Sequence, residues 1–202
     1  MPRIIVFDVE TRKWASDLDP ENIEAGWDAL RAGKGGASAI CLYDSELDWC
    51  YTYDDNTTQA AAKHLEAADL IVGFRSEKFD VPVVEGLLGR RLRIRQHYDI
   101  YTEIARTNAE RGLVGGKGDF TLNSVAKRNL GRGKIDHGAN ARNLCMQGRF
   151  GALFNYCLDD VHLTRDLFAH ICRDGGLINL GGGFLPLPVP DYIAHVFARS
   201  TA

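Results

Sequence analysis

No apolar run in this 202-residue chain approaches the roughly 18 to 20 residues needed to cross a bilayer, which excludes an inserted helix on length. A basic excess is also missing: the net charge is −3 and the pI near 6.1, so any footprint for a polyanion must be local. The five cysteines (Cys41, Cys50, Cys145, Cys157, Cys172) are odd in number and form no C-x-x-C pair. Neither a disulfide framework nor a zinc site is suggested, and reduced core thiols are expected. There is no internal repeat. The start, Met1-Pro2-Arg3, leads directly into a strand-like segment without the apolar stretch and cleavage site of a signal peptide, so a cytoplasmic location is expected. What remains is ordinary globular composition, 45% hydrophobic and 25% charged. It predicts one domain over 1–202 with a Gly/Pro-rich tail from about 175.

Ile4-Ile5-Val6-Phe7 is a short β-branched apolar run and reads as a buried central strand ending in Asp8-Val9-Glu10. Residues 12–36 read as a long connection with at most one short helix around Ile23 to Leu30. Ala37 to Tyr43 and Asp48 to Tyr53 then read as strands, which makes an antiparallel start. Beyond Thr57 the pattern becomes βαβα, as parallel strands require: a helix to about Ala68, a strand Leu70 to Phe74, a helix from about Pro82 to Arg90, a strand near Arg93 to Tyr98 and a helix near Tyr101 to Arg111. Apolar residues from Phe150 to Ile171 recur at spacings of three and four, predicting a long amphipathic helix that stops at Gly175-Gly176. The prolines and glycines after it fit only an edge hairpin or packed tail.

Acid-x-acid spacing is weak by itself, because Asp17-Leu18-Asp19, Asp44-Ser45-Glu46 and Glu46-Leu47-Asp48 also show it. Context separates Asp8 and Glu10. Two residues apart on a strand, they point to one face, and such a like-charged pair at the end of a buried strand is unfavourable without a cation. Asp80 follows an apolar strand and a short loop, where it is a candidate helix N-cap ahead of Pro82 and a candidate ligand, two compatible roles. Tyr156 and Asp160, four apart on the long helix, share a face; Asp159 is turned about 100° away and is expected to be solvated or a supporting neighbour.

Taken together, these residues resemble the DEDD superfamily of ribonuclease H-like exonucleases, in the tyrosine branch that includes the proofreading domains of family B DNA polymerases. The chain is also similar to small stand-alone predicted exonucleases of bacteria and phages. Asp8 and Glu10 match the first motif, Phe79-Asp80 the second and Tyr156-x-x-x-Asp160 the third; the histidine variant is absent because position 155 is Asn. His97-Tyr98-Asp99 and the segment Phe120 to Lys134 extend the likeness over nearly the whole chain. The resemblance implies an α/β fold with a mixed five-stranded sheet, order 3-2-1-4-5, flanked by helices. It further implies hydrolysis of DNA or RNA from the 3′ end, with Asp8, Glu10, Asp80 and Asp160 holding two Mg²⁺ or Mn²⁺ ions and Tyr156 positioning water. The implied partner is single-stranded nucleic acid or a 3′ end. Arg75 stands where relatives often carry Asn, a departure that leaves the four ligands intact and bears on substrate contacts near the second motif.

Other signals point elsewhere or nowhere. Gly112 to Gly118 is superficially like a phosphate loop, but its first spacing is short and Gly118 replaces the required Ser or Thr, so a flexible loop is expected. Arg90, Arg91, Arg93 and Arg95 fit phosphate contacts or a solvated strand edge equally. Trp14, Trp27, Trp49 and Phe74 are available to stack on a base, although most aromatics are core. His97, His137 and His162 have no ligand spacing. The rival to the enzyme is a catalytically silent nucleic-acid-binding or scaffold domain on the same fold.

Overall fold

Alternation along one strand organises the chain, whose structure, a computed structural model, describes residues 1–112, 120–134 and 139–193. That strand is β1 (Ile4–Thr11). It is followed by α1 (Ala15–Leu18), α2 (Ile23–Arg31), β2 (Ala37–Asp44), β3 (Trp49–Tyr53), α3 (Thr58–Ala67), β4 (Leu70–Gly73), α4 (Asp80–Leu88) and β5 (His97–Asp99). Then come α5 (Ile100–Glu110), α6 (Leu122–Leu130), α7 (Ala139–Met146), α8 (Phe150–Asp174), β6 (Gly176–Ile178) and β7 (Phe184–Pro186). Five strands form a mixed sheet in the order β3-β2-β1-β4-β5, as expected. β2 pairs with β1 and with β3 antiparallel, whereas β4 and β5 extend the other side in parallel.

Because successive side chains on a strand face opposite ways, β1 feeds two cores. Ile4 and Val6 join Ala39, Cys41, Val72 and the apolar stripe of α8 on one face. Ile5, Phe7 and Val9 join Ile40, Leu42, Ile71 and the inner sides of α3 and α4 on the other. Every residue of β2 is buried, as a strand covered on both faces should be. Removing Phe7 or Ile5 from water stabilises the sheet by about 2 kcal/mol each. α8 ends where Gly175 adopts φ 76°, a left-handed conformation that continues no helix. After it the chain forms the small antiparallel hairpin β6–β7, whose Ile178 exchanges both backbone bonds with the side chain of Asn129.

Three boundaries differ from expectation. The 12–36 connection carries α1 as well as α2, and Gly26 allows the contact: a Cβ there would lie 2.1 Å from the Ala15 carbonyl oxygen. α4 begins at Asp80 rather than Pro82. β5 spans only His97–Asp99, because β4 offers it just Ile71 to Gly73, so the arginines before it do not line a strand edge. Arg90, Arg91 and Arg95 are instead paired with Glu66, Glu85 and Asp69 at 2.5, 2.5 and 2.6 Å. Residues 113–119 of the glycine-rich loop, and His137, lie outside the described residues. No helix among the described residues is long and apolar enough to cross a membrane.

Candidate active site

The parallel pairing of β1 with β4 stops at Val6↔Val72, so the last residues of β1 project past their neighbour. Asp8 and Glu10 lie there on the α8 face. α8 is seated by its apolar stripe, with Cys157 Sγ 3.5 Å from the Asp8 carbonyl oxygen and 3.6 Å from Asp8 Oδ2. This docking turns Tyr156 and Asp160 toward the same point. Carboxylate oxygens of Asp8, Glu10 and Asp160 all lie within 4.8 Å of one another.

Asp80 arrives from the opposite layer. It is the first residue of α4, and its Oδ1 accepts a hydrogen bond from the Val9 N–H at 2.9 Å, beyond the reach of β4. The N-cap position belongs to Phe79, so Asp80 does not act as that helix's cap. It stands outside the tight group of three, yet all four acids line one open cleft of about 770 Å³. Asp159 is half-buried and does not line that cleft.

Holding these acids together has an electrostatic cost that shows in every one of them. Burial first, then the charge of Asp160, pushes Asp8 up to about 7, against the opposing pull of Lys134 and Cys157. Glu10 is raised well above the carboxylate range by burial, Asp8 and Asp160; Asp80 is raised well above it by burial and Asp8. Asp160 is raised by burial, opposed by Lys134. Asp8 and Glu10 are ringed by protein atoms but keep an edge open to the cleft, so their rise is moderated by water compared with a sealed carboxyl.

Lys134 is the group that sequence reasoning missed. Its Nζ lies 2.6 Å from Asp160 Oδ2 and 5.8 Å from the centre of the Tyr156 ring. Burial alone would lower the ammonium, but Asp160 and Asp8 outweigh it and raise it, so Lys134 stays charged as the cluster's counter-cation. A lone lysine in Gly131-Arg132-Gly133-Lys134 carries no spacing signal toward residues on β1 or α8.

Tyr156 is 7% exposed. Burial, then Asp160, pushes its phenol above 10, so it remains protonated at neutral pH. The hydroxyl lies close enough to favour the ionised form of Asp160, yet no group among the described residues meets it with hydrogen-bond geometry. It is a buried donor beside a carboxylate cluster, with no protein partner in hydrogen-bond geometry among the described residues.

Neighbouring residues divide into bracing and lining. Asp99, 4% exposed, accepts from the N–H groups of Arg75, Glu77 and Thr102 at 3.0, 2.8 and 3.1 Å, which ties the β4–α4 turn to the start of α5. His97 Nε2 pairs with Ser76 Oγ at 2.9 Å, and His162 Nε2 lies 3.3 Å from Cys50 Sγ. Phe74 lines the main cleft; Trp27 lines it and a second cleft of about 460 Å³ that also holds Trp14, while Trp49 lines neither.

No protein family's sequence profile matches the chain, and none of the curated proteins matches it in sequence. Among solved structures, the family B DNA polymerase from the hyperthermophilic archaeon Pyrobaculum calidifontis is similar to it with a TM-score of 0.57 at 17% identity. The match covers 99% of this chain and 27% of the polymerase chain. At that identity the likeness establishes the fold: a ribonuclease H-like α/β domain with sheet order 3-2-1-4-5. The acidic cluster at its centre is a possible metal site.

Proposed function

We propose that the chain is a metal-dependent 3′-5′ exonuclease, a single nuclease domain that releases nucleotides from the 3′ end of a DNA or RNA strand. One observation carries the reading: oxygen ligands of Asp8, Glu10 and Asp160 converge within 4.8 Å on a cleft that Asp80 also lines. The match of the three motifs and the fold shared with a family B DNA polymerase support a nucleic-acid substrate.

The donor set fits a divalent cation. It is all oxygen, as hard ions such as Mg²⁺ or Mn²⁺ prefer, and the shared rise in proton affinity marks negative charge that one lysine does not fully balance. Asp8, Glu10, Asp80 and Asp160 would hold two such ions. When bound, these supply a water of lowered pKa and stabilise charge on the phosphoryl oxygens. Asp80 also keeps its contact with Val9, so the end of β1 and the start of α4 are held in one geometry. Tyr156 donates its O–H to the attacking water and orients it; a phenol raised above 10 stays protonated at neutral pH and is not available as the base. Lys134 keeps Asp160 ionised and ready to ligate.

The test uses end-labelled single-stranded DNA and RNA with Mg²⁺, Mn²⁺ or excess chelator. Mononucleotides should appear from the 3′ end with either metal, and Asp8→Ala should abolish them. Turnover in chelator sinks the reading, cutting of a covalently closed circle converts it to an endonuclease, and binding without hydrolysis leaves the silent domain.

A further inference from the structure

We infer that the turn from Arg75 to Lys78 is a phosphate clamp for the strand whose end enters the cleft. The cleft would therefore take a chain carrying at least a second phosphate in preference to a mononucleotide ester. The strand's identity rests on the exonuclease reading; the clamp rests on the following geometry.

Arg75 and Lys78 line the same cleft as the four acids. The turn between them is tied down through its backbone. Arg75 and Glu77 donate to the two oxygens of Asp99 at 3.0 and 2.8 Å, Lys78 N–H donates to the Arg75 carbonyl at 3.2 Å, and Arg31 Nε donates to the Lys78 carbonyl at 3.1 Å. Ser76 is fully buried against His97, and its carbonyl accepts from Val81 N–H at 2.9 Å. Arg75 itself is held at φ 66°, a left-handed conformation that an arginine rarely adopts and that tends to persist where a site over-determines it.

The side chains on this fixed turn differ from the other two cations that line the cleft: Arg31 meets Asp28 and Lys134 meets Asp160. Arg75 and Lys78 are exposed, and neither has an ion pair among the described residues. Glu77, the acid between them, accepts from Thr102 Oγ1 at 3.0 Å. The Arg75 guanidinium carbon lies over the Tyr101 ring, 4.3 Å from its centre, and the group gives one bond to the Phe120 carbonyl at 3.2 Å, which leaves further N–H donors for a ligand. A chain of net charge −3 with six carboxylates lining its cleft repels a polyanion. Two unpaired cations on a rigid turn at that cleft are the local feature able to hold a second phosphate, and their preorganisation reduces the ordering cost of doing so.

The test measures anisotropy of a labelled single strand of about ten nucleotides with Mg²⁺ in an Asp8→Ala background, so that turnover does not interfere. Arg75→Asn is the diagnostic change, because asparagine tolerates the left-handed backbone while the cation is lost together with its contacts to Tyr101 and Phe120, and the salt slope separates the two losses. It should weaken binding about tenfold at low salt and reduce the slope of log K against log salt by about 0.7, the value for one phosphate contact on a single strand. Arg75→Lys should restore the slope. Lys78→Gln should lower it by a similar amount. Unchanged affinity and slope in Arg75→Asn overturn the clamp, as does weaker binding with the parent slope, which would assign Arg75 to bracing Tyr101 and Phe120. Failure to hydrolyse either nucleic acid would remove the exonuclease reading alone, since the clamp is read from binding.

Discussion

Without metal, the carboxylate cluster should make the protein less stable as the pH rises from 5 to 8, the reverse of ordinary acid denaturation. Asp8 is displaced from 3.8 to about 7, chiefly by burial and then by Asp160. The folded chain therefore binds this proton more tightly than the unfolded one. The stability it contributes is complete below about pH 4 and is lost as the pH climbs through 7. A displacement of about three units at about 1.4 kcal/mol each sets a ceiling near 4 kcal/mol, roughly two thirds of it falling between pH 5 and 8. The edge of Asp8 open to the cleft reduces this to about 2 kcal/mol, or a fall in Tm of roughly 4 to 8 °C for a chain of this length. Glu10, Asp80 and Asp160 are raised too and add in the same direction. Carboxyls with lowered values, such as Asp17, Asp54 and Asp174, lose their contribution only as the pH falls below the ordinary carboxylate range, outside this window, whereas His64, His97, His162 and His170, lowered chiefly by burial, oppose the trend within it, so the difference between wild type and an Asp8 variant isolates the cluster. Thermal unfolding in excess chelator across the window, for wild type and Asp8→Asn, measures the slope. Asp8→Asn should flatten it and be more stable than wild type at pH 8, while Mg²⁺ or Mn²⁺ should stabilise wild type there. An Asp8→Asn slope equal to the parent's in chelator would refute the reasoning.

Tyr156→Phe should keep the ring in its buried site and lose the hydroxyl, slowing the single-turnover rate about 10- to 100-fold with metal titration nearly unaltered; Asp160→Ala should be more severe and weaken metal binding, and a wild-type rate for Tyr156→Phe across the pH range would exclude a role for the hydroxyl. Lys134→Met leaves Asp160 without its cation, so denaturant titration in chelator at pH 8 should show a loss of about 2 kcal/mol, less than for a fully buried pair because Lys134 is a quarter exposed; the loss should shrink at pH 5 as the carboxyls protonate. Asp99→Ala strands three backbone donors and should cost about 3 kcal/mol in the same measurement, with Asp99→Asn milder.

Local pattern determined a large part of this protein. The apolar run Ile4 to Phe7 and the period of two made β1 a doubly covered strand with Asp8 and Glu10 on one face, and the helical period put Tyr156 and Asp160 on another shared face. Antiparallel elements followed by βαβα alternation were enough for a mixed sheet, while its order came with the resemblance carried by the three motifs. Such features depend on neighbours in sequence, so composition and spacing carry them. Only tertiary packing decided that Asp80 would bond to Val9, 71 residues away, instead of capping α4, and that Lys134 would balance Asp160 across 26 residues. It likewise made Asp99 the brace for the turn holding Arg75 in a left-handed conformation, and paired Arg90, Arg91 and Arg95 of the basic run with acids rather than leaving them free. These are contacts between side chains whose separations obey no local period, set by where α8 and α4 come to rest against the end of β1, and the balance of charge in the cleft exists only once that packing is complete.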